Sequence, residues 1–148
     1  MAIYIYKAME KILREYNGNA SEIWNEQSAD VIVKRFEEFV GISHKKASLG
    51  TLLLIRDLHQ EINNKQYIDI AYDVHIRRIF LRMGLVKKDT QDNVIEVAKK
   101  INPDFPGELT TSFWAIGRHF CHPTNPECDG CPLHDCCREY SYVLEKRT

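Results

Sequence analysis

All five cysteines of this 148-residue chain lie between Cys121 and Cys137, in the stretch "CHPTNPECDGCPLHDCC". A segment so rich in thiols and prolines, and so poor in large apolar side chains, cannot build a core of its own. It folds around something that the thiols hold. Four of the cysteines fall as C-x6-C-x2-C-x5-C, at Cys121, Cys128, Cys131 and Cys137. Four thiolates can wrap a tetrahedral zinc ion or a cubane iron–sulfur cluster. Structural zinc sites are usually made of two short C-x2-C-type pairs, and only Cys128 and Cys131 form one here. The uneven gaps favour the object with corners to reach, an iron–sulfur cluster. Zinc, and thiols left reduced or paired in disulfides, are the alternatives. Cys136 is the spare thiol, and could replace Cys137 in a C-x4-C variant.

The rest of the chain does not need such a staple. A hydrophobic fraction of 44% with 28% charged residues is that of an ordinary globular protein, long enough to bury a core unaided. The start, "MAIYIYKAMEKIL", has no basic segment leading into an apolar run, and no stretch of about 18 apolar residues occurs anywhere. The expectation is a cytoplasmic protein with no membrane partner, where thiols stay reduced. A net charge of −1 means that any nucleic-acid contact comes from a local patch rather than a global field.

Periodicity predicts an all-α chain. Ile5, Ala8, Met9, Ile12, Leu13 and Tyr16 recur at helical spacing before "NGN" stops them. Ser28 is placed to cap a second helix bearing Ile32, Val33, Phe36 and Phe39. The turn "VGIS" opens a long helix over residues 44–62, and "NNKQYIDIAY" reads as a loop. Asp73 stands at the cap of "VHIRRIFLRM", which ends at Gly84. "DTQDNVIEVAKKI" is a further helix, and "ELTTSFWAIGRHF" is another that runs directly into Cys121. The expected division is a helical region over residues 1–107, followed by a helix and cysteine loop over 108–148.

With the cysteine spacing and "WAIGRHFC" in view, the chain resembles the endonuclease-III-type DNA glycosylases of the helix-hairpin-helix superfamily. That resemblance implies an all-α helix-hairpin-helix fold, represented here by its C-terminal portion. It also implies a 4Fe-4S cluster on Cys121, Cys128, Cys131 and Cys137, which shapes a DNA-contacting loop rather than performing glycosylase chemistry. "FVGISHKKASLGTLLLI" is similar to the hairpin motif of that family. A tight turn opening a helix presents free backbone N–H groups and the positive end of the dipole, a ready phosphate site. Gly41 would let the DNA backbone approach. Ser43, His44 and Lys46 lie where a phosphate would sit, and Arg77 on the following helix is a further DNA-binding candidate. Arg77, Arg78 and Arg82 either hold phosphates or face solvent.

By the same resemblance Lys45 is the nucleophile and Asp73 its catalytic partner. At a helix N-terminus the dipole disfavours the ammonium form, which frees the amine for attack on a sugar C1′. The Asp73 carboxylate would stabilise positive charge on the sugar or help to deprotonate the lysine, besides serving as an N-cap. The implied partner is double-stranded DNA with a damaged base or an abasic site. Two residues depart from the family hairpin: Val40 stands for a proline, and Ser43 for the second glycine. Ser43 is placed instead to cap the following helix. The family domain normally begins well upstream, so the expectation is a fragment or a shortened member. Apolar faces on residues 3–16 and 44–62 would then need a missing N-terminal segment or a partner chain. A non-catalytic iron–sulfur DNA-binding module and a zinc-binding interaction domain are the readings from other classes.

Overall fold

The computed structural model describes residues 2–25 and 27–147. Seven α-helices follow one another with no strand among the described residues: α1 (Ala2–Glu15), α2 (Ala29–Glu37), α3 (His44–Arg56), α4 (Val74–Arg82), α5 (Gln91–Ile101), α6 (Leu109–His119) and α7 (Arg138–Arg147). The all-α expectation holds. None of these helices is long and apolar enough to cross a membrane.

Two cores hold the helices together. In the first, Ala29 and Ile32 of α2 meet Leu52 and Leu54 of α3, with Ile62 and Ile68 from the connecting segment. In the second, Ile76, Ile79 and Phe80 of α4 meet Val94 and Ala98 of α5 and Phe113 of α6. Each of these larger side chains contributes about 1.5–3 kcal/mol on burial. The rings of Phe80 and Phe113 lie 5.1 Å apart. Cys121 and Leu133 pack against the same core, so the cysteine loop is seated on the α4–α6 pair.

The α4–α6 contact depends on a missing side chain. A Cβ on Gly117 would stand 2.5 Å from the Cβ of His75, so no larger residue fits that crossing as it stands. Arg78 reinforces it by donating to the carbonyls of Gly117 (3.0 Å) and Cys121 (2.7 Å).

Three details differ from the sequence reading. Ser28 occupies the N-cap position of α2 but makes no capping bond; its hydroxyl donates to the Asp30 carboxylate instead. The helix expected over 44–62 ends at Arg56. Ile62 keeps helical spacing from Ile55, yet His59 adopts a left-handed backbone (φ +51°) and breaks the helix. The chain then swings back so that Asn63 accepts from the N–H of Ala29 at 3.0 Å. Ile62 is thereby buried against α2, while Leu58 is left outside. For the same reason α3 carries no unpartnered apolar face, since Ala47, Leu52 and Leu54 are all buried. On α1 the apolar face is exposed: no residue is buried, and Ile3, Ile5, Tyr6, Met9 and Leu13 lie on the surface.

Candidate functional site

The hairpin consists of α2, the turn through residues 38–43, and α3. Phe39 is buried at its base and stacks on Tyr16 with ring centroids 6.4 Å apart. The amide of Ile42 donates to the carbonyl of Phe39 at 3.0 Å, which tightens the turn. Gly41 has φ +88°, a left-handed conformation that glycine adopts without strain. Lys46 donates from Nζ to the Gly41 carbonyl at 2.8 Å and so braces the turn from inside. Ser43 sits at the N-cap of α3 with an extended backbone, but its side chain caps nothing, contrary to the expectation. The first-turn amides of α3 therefore have no side-chain acceptor among the described residues. Lys45 projects from this turn, exposed, with no hydrogen bond or ion pair among the described residues.

His44 behaves differently from its neighbours. Its Nδ1 lies 2.6 Å from Glu37 Oε1 on α2, and its Nε2 lies 2.8 Å from Asp69 Oδ2 in the segment leading to α4. Lys99 of α5 stands 2.9 Å from the other oxygen of Asp69. That oxygen has no hydrogen-bond partner, so the ammonium approaches as a charge pair outside bonding geometry. Burial lowers the pKa of His44, but the bonds to Asp69 and Glu37 outweigh it and leave the pKa raised. His44 is thus engaged by carboxylates rather than free for a phosphate. Neither Glu37 nor Asp69 stood out in the sequence, although a lone acid between Ile68 and Ile70 was the available signal.

Asp73 lies at the start of α4, half-buried. Its Oδ1 accepts from the amides of His75 and Ile76, both at 2.9 Å, which leaves Oδ2 uncommitted to the cap. The segment before it is pinned: Ile70 and Ala71 are buried, and the Ala71 amide donates to Thr110 Oγ1 at 3.0 Å. His44 therefore ties the α3 N-terminus, which carries Lys45, to the segment that delivers Asp73. Asp73 lies four positions beyond Asp69, a reach of at most about 14 Å.

The three arginines of α4 part company. Arg77 is on the surface and pairs with Asp89 at 2.6 Å. Arg78 and Arg82 neither face solvent freely nor wait for phosphate; both turn toward the cysteine loop. Arg82 donates to the carbonyls of His122 (2.6 Å) and Pro123 (3.0 Å) and approaches Cys121 Sγ at 3.3 Å. Residues one helical turn apart, Arg78 and Arg82 share the face that meets the loop.

The loop itself is built of short 3-10 turns at Cys128–Gly130 and His134–Cys136. Cys121, Cys128, Cys131 and Cys137 line one small cavity with Arg82 and Phe120. Cys136 does not line it; its thiol is exposed and points to the Leu133 carbonyl at 3.4 Å. Burial raises the pKa of Cys128 and of Cys131, and the neighbouring thiolates add to the rise. Filling the cavity with a cation must therefore expel thiol protons. Among the described residues no three His, Cys, Asp or Glu side chains converge on a point where a single metal ion could sit. Four thiols lining one cavity supply the donor set that a 4Fe-4S cluster or a zinc ion would take.

No model of a known protein family matches the sequence. Endonuclease III of Thermotoga maritima is 39% identical over 72 residues, which is 48% of this chain and 34% of that protein. An adenine DNA glycosylase of Arabidopsis thaliana is 26% identical over 82 residues, 51% of this chain and 13% of that protein. Among solved structures, a trapped covalent intermediate of endonuclease III with DNA superposes with a TM-score of 0.65 at 23% identity, over 97% of this chain and 59% of that one. The fold is therefore that of endonuclease III, all-α and helix-hairpin-helix. The matched sequence spans about a third of the Thermotoga protein's length.

Proposed function

We propose that this chain is a DNA base-excision repair protein of endonuclease III type, with Lys45 as nucleophile on damaged or abasic DNA. The observation that carries the reading is the exposed, unpartnered Lys45 on the first turn of α3, tied through its neighbour to the segment that ends in Asp73. The free amides of the first turn of α3 receive a phosphate, while the Tyr4 ring of α1 packs over Gly41 itself, 3.4 Å from where a Cβ would stand. The Lys45 amine forms a bond to C1′ as the bond from C1′ to the base breaks, and the base leaves with the electron pair. On an abasic site the same amine adds to the aldehyde and loses water. The resulting Schiff base acidifies the C2′ proton, and its loss expels the 3′ phosphate and nicks the strand. Oδ2 of Asp73 offers negative charge to the cationic sugar.

In the same reading the four-cysteine cavity holds a 4Fe-4S cluster. Cys121, Cys128, Cys131 and Cys137 supply the thiolates, and Arg82 donates toward the Cys121 sulfur, the kind of hydrogen bond that tunes such centres. When bound, the cluster cross-links the loop to the end of α6. It takes no part in the base chemistry.

Borohydride trapping on abasic DNA tests the proposal. An abasic site needs no base pocket and costs little to extrude, so it is the substrate of choice. The wild-type chain should give a covalent adduct, and Lys45→Gln should give none. A protein that binds duplex DNA but is never trapped is instead a non-catalytic iron–sulfur binding module.

A further inference from the structure

Both ring nitrogens of His44 face carboxylate oxygens, Glu37 on one side and Asp69 on the other. A carboxylate can only accept, so only the imidazolium, with a proton on each nitrogen, satisfies both contacts at once. In the neutral ring one nitrogen presents a lone pair to a carboxylate lone pair, and that contact becomes repulsive. Asp69 is well shielded, with a side-chain exposure of 12%, and it keeps Lys99 as a second cation. On deprotonation the histidine is the member that lets go.

We propose that His44 is a proton-dependent latch that locks the α2–α3 hairpin to the segment carrying Asp73, and thereby positions Lys45. The catalytic half of this inference rests on the function proposed above; the latch itself does not. Glu37 comes from α2, Asp69 from the segment before α4, and Lys99 from α5, so the latch adds a charged link at the surface to elements whose apolar side chains share the two cores beneath it. Ile70 and Ala71 are buried and the Ala71 amide donates to Thr110 Oγ1 on α6, so the segment between Asp69 and Asp73 is held still and Asp69 serves as a fixed anchor for the hairpin. His44 does not touch a reacting atom. It is a positioning residue, and its protonation state decides whether the hairpin and Asp73 are held in one register.

The sign follows from the partners. Because the folded-state pKa of His44 is raised, the latch contributes fully below the unfolded histidine value of about 6.5 and is lost as pH rises through the folded value.

Three measurements on the full, iron-loaded chain decide the matter. An NMR titration of the His44 ring should place its midpoint above that of an exposed histidine. Amide-exchange protection of residues 42–46 and 69–72 should fall about tenfold between the protonated and neutral ring, and should show no such step in Asp69→Asn or His44→Gln. In abasic-strand cleavage, Asp69→Asn should lower kcat, by up to about 100-fold, with KM changed little. An ordinary midpoint for His44 with no step in protection overturns the latch, whatever the activity. A change confined to KM overturns the positioning role and leaves His44 as a simple contributor to binding. Absence of all cleavage by the wild-type chain would count against the proposed function, while the titration and exchange still decide the latch.

Discussion

Asp73 has two tasks that substitution can separate. One oxygen accepts from the amides of His75 and Ile76, both at 2.9 Å, and fixes the first turn of α4. That helix then carries Ile76, Ile79 and Phe80 into the core, so loss of the cap loosens buried structure as well as an end. Asp73→Ala removes the acceptor and should cost about 0.5–2 kcal/mol. Asp73→Asn keeps an acceptor in the same place and loses only the charge at the helix N-terminus, about 0.3–1 kcal/mol. At about 2–4 °C per kcal/mol for a chain of this size, the alanine variant should melt several degrees lower and the asparagine variant only slightly. Turnover should erase that ranking. Loss of the carboxylate charge from the reaction should slow abasic-strand cleavage at least about a hundredfold in both variants. Circular dichroism melts of the iron-loaded proteins beside single-turnover cleavage give both readings. If asparagine is as destabilising as alanine, the cap argument from geometry is wrong. If asparagine cleaves at the wild-type rate, the carboxylate has no part in the reaction and Asp73 is a cap alone.

Two further outcomes test the frame around the site. Changing Cys121, Cys128, Cys131 or Cys137 to Ser should abolish bound iron and the brown colour, whereas Cys136→Ser should keep both. Iron analysis with visible absorption decides this, and stoichiometric zinc in iron-supplied cells would overturn the cluster. Gly117→Ala forces a Cβ to 2.5 Å from that of His75, and the strain should cost about 1–3 kcal/mol in urea unfolding. An unchanged midpoint would mean that α4 and α6 separate more easily than their packing implies.

How much was legible in the sequence depends on how local each signal is. Helical periodicity, the Asp73 cap and the tight turn at Gly41 are set by residues within a few positions of one another, and they could be read from one dimension. The cysteine spacing was legible for the same reason: ligand number and gap length constrain the loop before anything packs on it. The end of α3 was not, because Ile62 satisfies helical spacing equally well in a helix or at the end of a returning segment. Burial against α2 decided between them. The arginines of α4 were ambiguous for a related reason. A long cation reaches several ångströms from its own helix, and only the position of the cysteine loop drew Arg78 and Arg82 to its carbonyls while Arg77 stayed with Asp89. The latch lies furthest from the sequence. Glu37, His44, Asp69 and Lys99 come from four separate stretches; His44 reads alone as a phosphate contact, and the other three as solvated polar residues. Their partnership is a product of how the helices pack, because charge pairing depends on distances in space that the order of residues does not contain.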